Sequence, residues 1–234
     1  MKGQVLRNNF DLNDKYTLID GKVVLSGIQA LVRLLLDQHR ADLIAGLNTA
    51  TLVSGYRGSP VGVLDLNLLK NKKILDEHNV KFIPGVNEDL GATMIYGSQM
   101  ANMVSKVKYD GVLGMWYGKA PGVDRSGDIF RHANFLGVDK TGGVLCVAGD
   151  DPSCKSSTLP SQSEPALFDA MMPIFYPVNV QDILDLGLYA YGMSRFTGLW
   201  SGFKIVTDIA DAFGSAFVHP DRVSITIPDF SING

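Results

Sequence analysis

The chain has 234 residues, 46% of them hydrophobic and 19% charged, enough for one sizeable core or two small domains. Its formal net charge of −3, with both signs interspersed, supplies neither the basic stripe of a nucleic-acid binder nor the polybasic face that attracts anionic lipid. The N-terminal residues lack a continuous apolar run, and the most apolar helical stretch, IQALVRLLL, is interrupted by Gln29 and Arg33 and is too short to span a bilayer, so a cytoplasmic protein is expected.

In chain order, Ser26 as an N-cap and Ile28, Leu31, Val32, Leu35 and Leu36 at helical spacing predict an amphipathic helix over 26–45. TATLVSG (49–55) is β-branched and stops at glycine, which predicts a strand; GYRGSPVG then turns, and VLDLNLLKNKKIL returns to helical spacing. A short strand at 81–83 precedes a helix beginning near Glu88. DGVLGMWYG reads as a strand before the segment around DIFRHANFLG, and GGVLCVAG as a buried strand before DDPSCKSSTLPSQSE. PIFYPVN precedes the helical VQDILDLGLYAYGMSRF, and GFKIVTD closes the series, while HPDRVSITIPDFSING starts another β-like segment. Five or six strands alternating with helices predict an α/β fold, its mostly parallel sheet covered by helices on both faces.

In such a sheet ligands bind outside the carboxyl ends of the strands. Four Gly-rich polar loops fall there: GYRGSP, PGVNED, YGKAPGVDRSGD and GDDPSCKSS. No GxGxxG, P-loop, GxSxG elbow or HExxH run is present, and the four histidines are scattered, which argues against a serine hydrolase or a zinc enzyme. Cys146 and Cys154 match no zinc or iron–sulfur spacing and are expected as reduced thiols. Glu88 and Asp89 alone need no special purpose, because acids in a first helical turn complement the dipole. The charge at Lys119, Asp124, Arg125, Asp128, Arg131 and His132 is dense for one connection and suits either an active-site wall or ion pairs across an interface.

SGYRGSP, NEDLGA, GKAPGVDRSGDIFRHAN and GDDPSCKSSTLPSQSE, in this order and spacing, resemble the N-terminal part of the fused indolepyruvate ferredoxin oxidoreductases of bacteria, members of the 2-oxoacid:ferredoxin oxidoreductases. The match runs over 18–208. It implies a thiamine diphosphate-binding fold of the pyrimidine-binding (Pyr) type, spanning 18–220 after an extension at 1–17, with 221–234 starting a following segment. It implies oxidative decarboxylation of an aryl 2-oxoacid with coenzyme A and ferredoxin. The diphosphate and Mg2+ would be held by a partner PP domain and the iron–sulfur clusters by other parts of the enzyme, with no metal held by this chain, inactivity of the chain alone, and a homodimer.

On the same resemblance Glu88 is the catalytic acid that exchanges a proton with N1′ of the aminopyrimidine, with Asn87, Gly118 and Lys119 beside it in binding the cofactor. Arg57, Gly58, Ser59 and Arg125 are expected on the substrate side; Arg57 stands where the family more usually has proline. The small residues after Glu88, including Gly91 and Gly97, suit close approach of a backbone or a flat ring. Asp89 has no family role and is read as the dipole partner. Another thiamine diphosphate enzyme of decarboxylase or transketolase type, or a non-catalytic assembly domain of the same fold, are the alternatives.

Overall fold

The computed structural model describes residues 11–104 and 107–228, without the side chains of Asn102 and Val104. Residues 1–10 of the expected extension and 229–234 of the expected following segment lie outside the described residues. In chain order the elements are α1 (Asp14–Thr17), β1 (Gly21–Ser26), α2 (Gly27–Ile44), β2 (Ala50–Gly55), α3 (Leu64–Lys70), α4 (Lys72–Glu77), β3 (Val80–Phe82), α5 (Glu88–Gln99) and α6 (Ala101–Val104). There follow β4 (Val112–Lys119), α7 (Ala120–Arg125), α8 (Gly127–Leu136), β5 (Val144–Asp150), α9 (Glu164–Asp169), β6 (Ile174–Phe175), α10 (Val180–Thr197), β7 (Ser201–Val206), α11 (Thr207–Asp211) and β8 (Phe213–Val218).

Six strands form one parallel sheet in the order β3-β2-β4-β5-β7-β6, and β1 pairs antiparallel with β8 in a separate two-stranded sheet. The mostly parallel α/β architecture expected from the sequence is the one observed. Alternation along β4 shows why its sequence reads as an almost unbroken apolar run. Leu113, Met115 and Tyr117 pack into the core with α2, α3 and α10, whereas Trp116 packs on the other face with α5, α8 and α9. A strand covered on both faces has no solvent side to be polar.

The expected start of α2 is realised in full. Ser26 Oγ accepts the Gln29 N–H at 3.2 Å, and Gln29 Oε1 accepts the Ser26 N–H at 3.0 Å, a capping box that satisfies two groups the helix itself leaves open. Two other expectations change. The charged stretch 119–132 is not a loop: Lys119 ends β4, and two successive helices, α7 and α8, follow it. The segment 219–228 forms no strand; Val223 joins the main core, and Ile225 packs where Gly192 leaves space on α10, so its apolar residues are spent on helices rather than on a sheet edge. Both thiols are free, Cys146 buried and Cys154 half-buried. Among the described residues no helix is long and apolar enough to cross a membrane.

Candidate active site

The strand order places the site. From β2 the chain moves outward to β3, then returns past β2 to β4 and continues the other way. The carboxyl ends of β2 and β4, at Gly55 and Lys119, therefore flank a crevice from which the connections leave in opposite directions, and such a switch point is where open α/β sheets bind ligands.

The chain leaving β3 crosses this crevice, since the Gly85 N–H reaches the Gly55 carbonyl at 2.9 Å. Asn87 then caps α5, its Oδ1 accepting the Leu90 N–H at 2.8 Å. Helix α5 sits hard against the end of β2, for a Cβ on Gly91 would stand 2.9 Å from the Gly55 Cα. Gly97, by contrast, faces open space. Glu88 is thus the first residue of a helix whose start is pressed into the mouth of the crevice.

Three contacts define Glu88. Its carbonyl accepts the indole N–H of buried Trp116 at 3.0 Å. Its Oε2 lies 3.8 Å from Arg125 Nη1, and its side chain is 13% exposed. Gly122 packs against its Cγ. No hydrogen bond from the described residues reaches the Glu88 carboxylate. Asp89 beside it lies 3.7 Å from Arg125 Nε, and its Oδ1 is buried without a hydrogen-bond partner. The guanidinium of Arg125, half exposed, therefore faces both acids while fully engaging neither.

The other expected residues collect around this pair unevenly. Lys119 is half-buried; its ammonium makes no hydrogen bond or ion pair with the described residues, and its stem packs against Gly58. Ser59 accepts the Ser156 hydroxyl at 2.5 Å, which ties the loop after β2 to the loop after β5. Arg57 is exposed, and the phenol of nearby Tyr117 is held well above its ordinary range by burial and by its hydrogen bond to Asp65. Gly118 is buried in β4, and the space a side chain would fill there holds the Trp116 ring. A hollow of about 380 Å³ opens beside Lys119, between Pro121 and Asp124 of α7 and residues 157–162.

His132 and Arg131 turn away from this cluster. His132 lies 3.7 Å from Asp128, both on an exposed face, and Arg131 pairs with Asp169. Asp150 and Asp151 are committed within the fold. Asp150 accepts both the N–H and the hydroxyl of Ser163, at 2.8 and 2.6 Å, and faces Lys204 at 3.5 Å. Burial alone would lower the Lys204 ammonium, yet its hydrogen bond to Glu164 and the nearby carboxylates raise it above the ordinary lysine range. Asp151 accepts the Ser156 and Lys155 N–H groups at 2.8 and 2.9 Å; above all the former holds its carboxyl well below the usual range, against the effect of burial. Among the described residues no group of three or more His, Cys, Asp or Glu is arranged to hold a metal.

A larger hollow, about 570 Å³, lies at the opposite, amino end of the sheet between α2, α10 and residues 220–227. Its buried charges, Asp42 and Arg195, bind each other at 2.7 and 2.9 Å. Asp42 and Arg195, matched in this way, have no charge left to offer a ligand, although Gln38 Oε1 beside them is buried without a partner. The crevice at the switch point, where Glu88 and Arg125 face each other without a hydrogen bond, is the better candidate site. Trp116 and Gly122, which hold Glu88 from two sides, are missed by motif reading. Only the glycine inside KAPGVDR, a helix-disfavouring residue in a helical stretch, hints at them.

No protein-family model matches the sequence, and no curated protein matches it. Among solved structures the chain is similar to the 2-oxoglutarate:ferredoxin oxidoreductase from Magnetococcus marinus, determined with 2-oxoglutarate, coenzyme A and succinyl-CoA bound. The TM-score is 0.66 at 12% sequence identity, over 92% of this chain and 34% of that one. The likeness is one of fold, and the chain spans about a third of the length of the protein it matches.

Proposed function

We propose that the chain is the Pyr-type domain of a thiamine diphosphate-dependent 2-oxoacid ferredoxin oxidoreductase, acting on an aryl 2-oxoacid of indolepyruvate type. Residues 18–220 form the domain, 1–17 an extension and 221–234 the start of a following segment. The observation that carries the reading is Glu88, a largely shielded carboxylate at the first position of α5, set in the switch-point crevice and without a hydrogen bond from the described residues. A plain helix-end acid faces water; this one faces the place where a ligand enters. Support for the ferredoxin-linked class comes from the shared fold and from the four loop motifs; the GKAPGVDRSGD run argues against a decarboxylase or transketolase relative, and the aryl substrate follows from the resemblance to the indolepyruvate enzymes alone.

The residues present fit the aminopyrimidine half of the cofactor. Both oxygens of the Glu88 carboxyl remain available for a ring N–H, and the Gly91–Gly55 approach keeps bulky side chains away from the crevice floor. They do not supply a diphosphate–Mg2+ site, which we assign to a PP domain, with iron–sulfur clusters, coenzyme A and ferredoxin handled elsewhere in a dimeric enzyme. Thiamine diphosphate, when bound, supplies the electron sink for decarboxylation. Glu88 holds a proton at N1′ and returns it. Asn87 fixes the helix start that aims Glu88, while Gly118 lets Trp116 reach the Glu88 carbonyl. Lys119 stands beside Glu88 on the cofactor side, Arg57 and Arg125 provide positive charge for the substrate carboxylate, and Gly58 and Ser59 shape the loop against which it rests.

The test compares Glu88→Gln with Asp89→Asn in the enzyme assembled with its diphosphate-binding domain. With full cofactor occupancy, Glu88→Gln is expected to slow C2–H/D exchange of bound thiamine by about 10² to 10⁴, the cost of a lost acid–base group. Asp89→Asn removes an equal charge from the same turn and is expected to leave exchange near wild type. Exchange at the wild-type rate in Glu88→Gln would reduce this acid to a helix-end charge.

A further inference from the structure

We infer that Gly122 is a positioning residue for Glu88: the side chain it lacks is the space in which the Glu88 carboxyl is seated. The inference rests on the reading of Glu88 given above and adds what sets that group's place. A Cβ built on Gly122 would stand 2.3 Å from Glu88 Cγ, 2.9 Å from Oε1 and 3.0 Å from Cδ. The first of these distances is far inside van der Waals contact, so a side chain at 122 and the present position of the carboxyl exclude each other.

The glycine has no other evident use. It lies within helix α7 and has no positive φ, so the backbone does not demand it. In a helix interior, glycine is less favourable than alanine. Its neighbours in α7 are fixed: Val123 is buried, and the Gly122 carbonyl accepts the Ser126 N–H at 3.0 Å. Across the contact, Glu88 is held at its main chain by Trp116 and by the Asn87 cap on α5. With both backbones held, the part free to yield is the Glu88 side chain. An added methyl would move the carboxyl and little else.

Helix α7 also brings Arg125 to within 3.8 Å of the same carboxyl. One short helix thereby sets both the position of the acid and the charge beside it. All three of the nearest atoms that a Cβ at Gly122 would meet belong to Glu88, so its effect is expected to pass through that residue. Its substitution should separate stability from chemistry, which loss of an ordinary packing residue does not do.

The test uses Gly122→Ala, with Gly97→Ala on α5 as control because nothing lies within 4 Å of its added Cβ. In the unliganded chain, Gly122→Ala is expected to unfold at or above the wild-type temperature while the ¹³C resonance of the Glu88 carboxyl shifts; Gly97→Ala should leave that resonance in place. In the cofactor-loaded enzyme, C2–H/D exchange should slow on the order of 10²-fold in Gly122→Ala, the scale of a misplacement near 1 Å. An unmoved Glu88 resonance in folded Gly122→Ala overturns the proposal. Exchange equal to that of Gly97→Ala, while Glu88→Gln is slow, overturns the positioning role and leaves the reading of Glu88 standing; wild-type exchange in Glu88→Gln overturns both. Should Gly122→Ala fail to fold, adding Glu88→Ala removes the group it meets. Refolding of that double variant supports the proposal, and continued unfolding overturns it.

Discussion

Two arginines at opposite ends of the parallel sheet face carboxylates to opposite effect. At the amino end, Arg195 binds both oxygens of Asp42 at 2.7 and 2.9 Å and the carbonyls of Gly142 and Thr141 at 2.8 and 3.0 Å, while Thr49 and Gln38 donate to Asp42 as well. At the carboxyl end, Arg125 stands 3.7 and 3.8 Å from its two acids, one acid oxygen is buried without a hydrogen bond, and the Lys119 ammonium has no partner among the described residues. Forked, shielded pairs hold a fold together. Loosely faced charges at a sheet's ligand-binding edge are where stability gives way to chemistry.

The contrast is broken or sharpened most strongly at Arg195. Arg195→Met leaves Asp42 buried with an unmatched charge and is expected to cost about 3–5 kcal/mol, read as a lower urea midpoint at unchanged slope. A loss below about 1 kcal/mol would mean that the two ends do not differ as described.

An intermediate effect concerns acid. His39 and His78 meet edge to face at 5.6 Å near the amino end. Burial, and for His39 also the neighbouring His78, holds both below the ordinary histidine range. The unfolded chain then takes up protons first as pH falls through about 6.5, so the stability linked to these groups is present above that pH and is lost below it. Tm is expected to drop by a few degrees between about pH 7 and about pH 5, and the drop should shrink in His39→Gln/His78→Gln. An unchanged pH profile in the double variant would assign acid lability to other groups.

Arg125→Met should have the smallest effect on stability. Its guanidinium is 55% exposed and at no hydrogen-bonding distance from Glu88 or Asp89, so its removal is expected to change unfolding free energy by no more than about 1 kcal/mol in either direction. Denaturation of Arg125→Met beside Arg195→Met compares one residue type at the two ends directly.

Much of this was legible in the sequence where short-range rules apply. The Ser26–Gln29 box, the β-branched run of β2 and the apolar run of β4 each carry their own signal, and alternation of strands with helices then requires the parallel sheet. Glu88 was legible through its place after a Pro-Gly turn and through the motif around it. What holds Glu88 was not. Trp116 and Gly122 lie 28 and 34 positions away and meet it only because β4 returns beside β2. The strands β1 and β8 escaped notice for the same reason: each is exposed at alternate positions and is defined by a partner at the far end of the chain.

That last pairing bears on how the molecule assembles. Joining Gly21–Ser26 to Phe213–Val218 closes a loop of ~190 residues, and for a flexible chain the length-dependent part of that closure costs about 5 kcal/mol. Six backbone pairs do not offset this from an open chain. The cost falls once α2 and α10 are packed together, since β1 runs directly into α2 and β8 lies against α10. The small sheet is thus expected to close after α2 and α10 have packed, so that a destabilising substitution in it, such as Val23→Ala, should speed unfolding more than it slows folding.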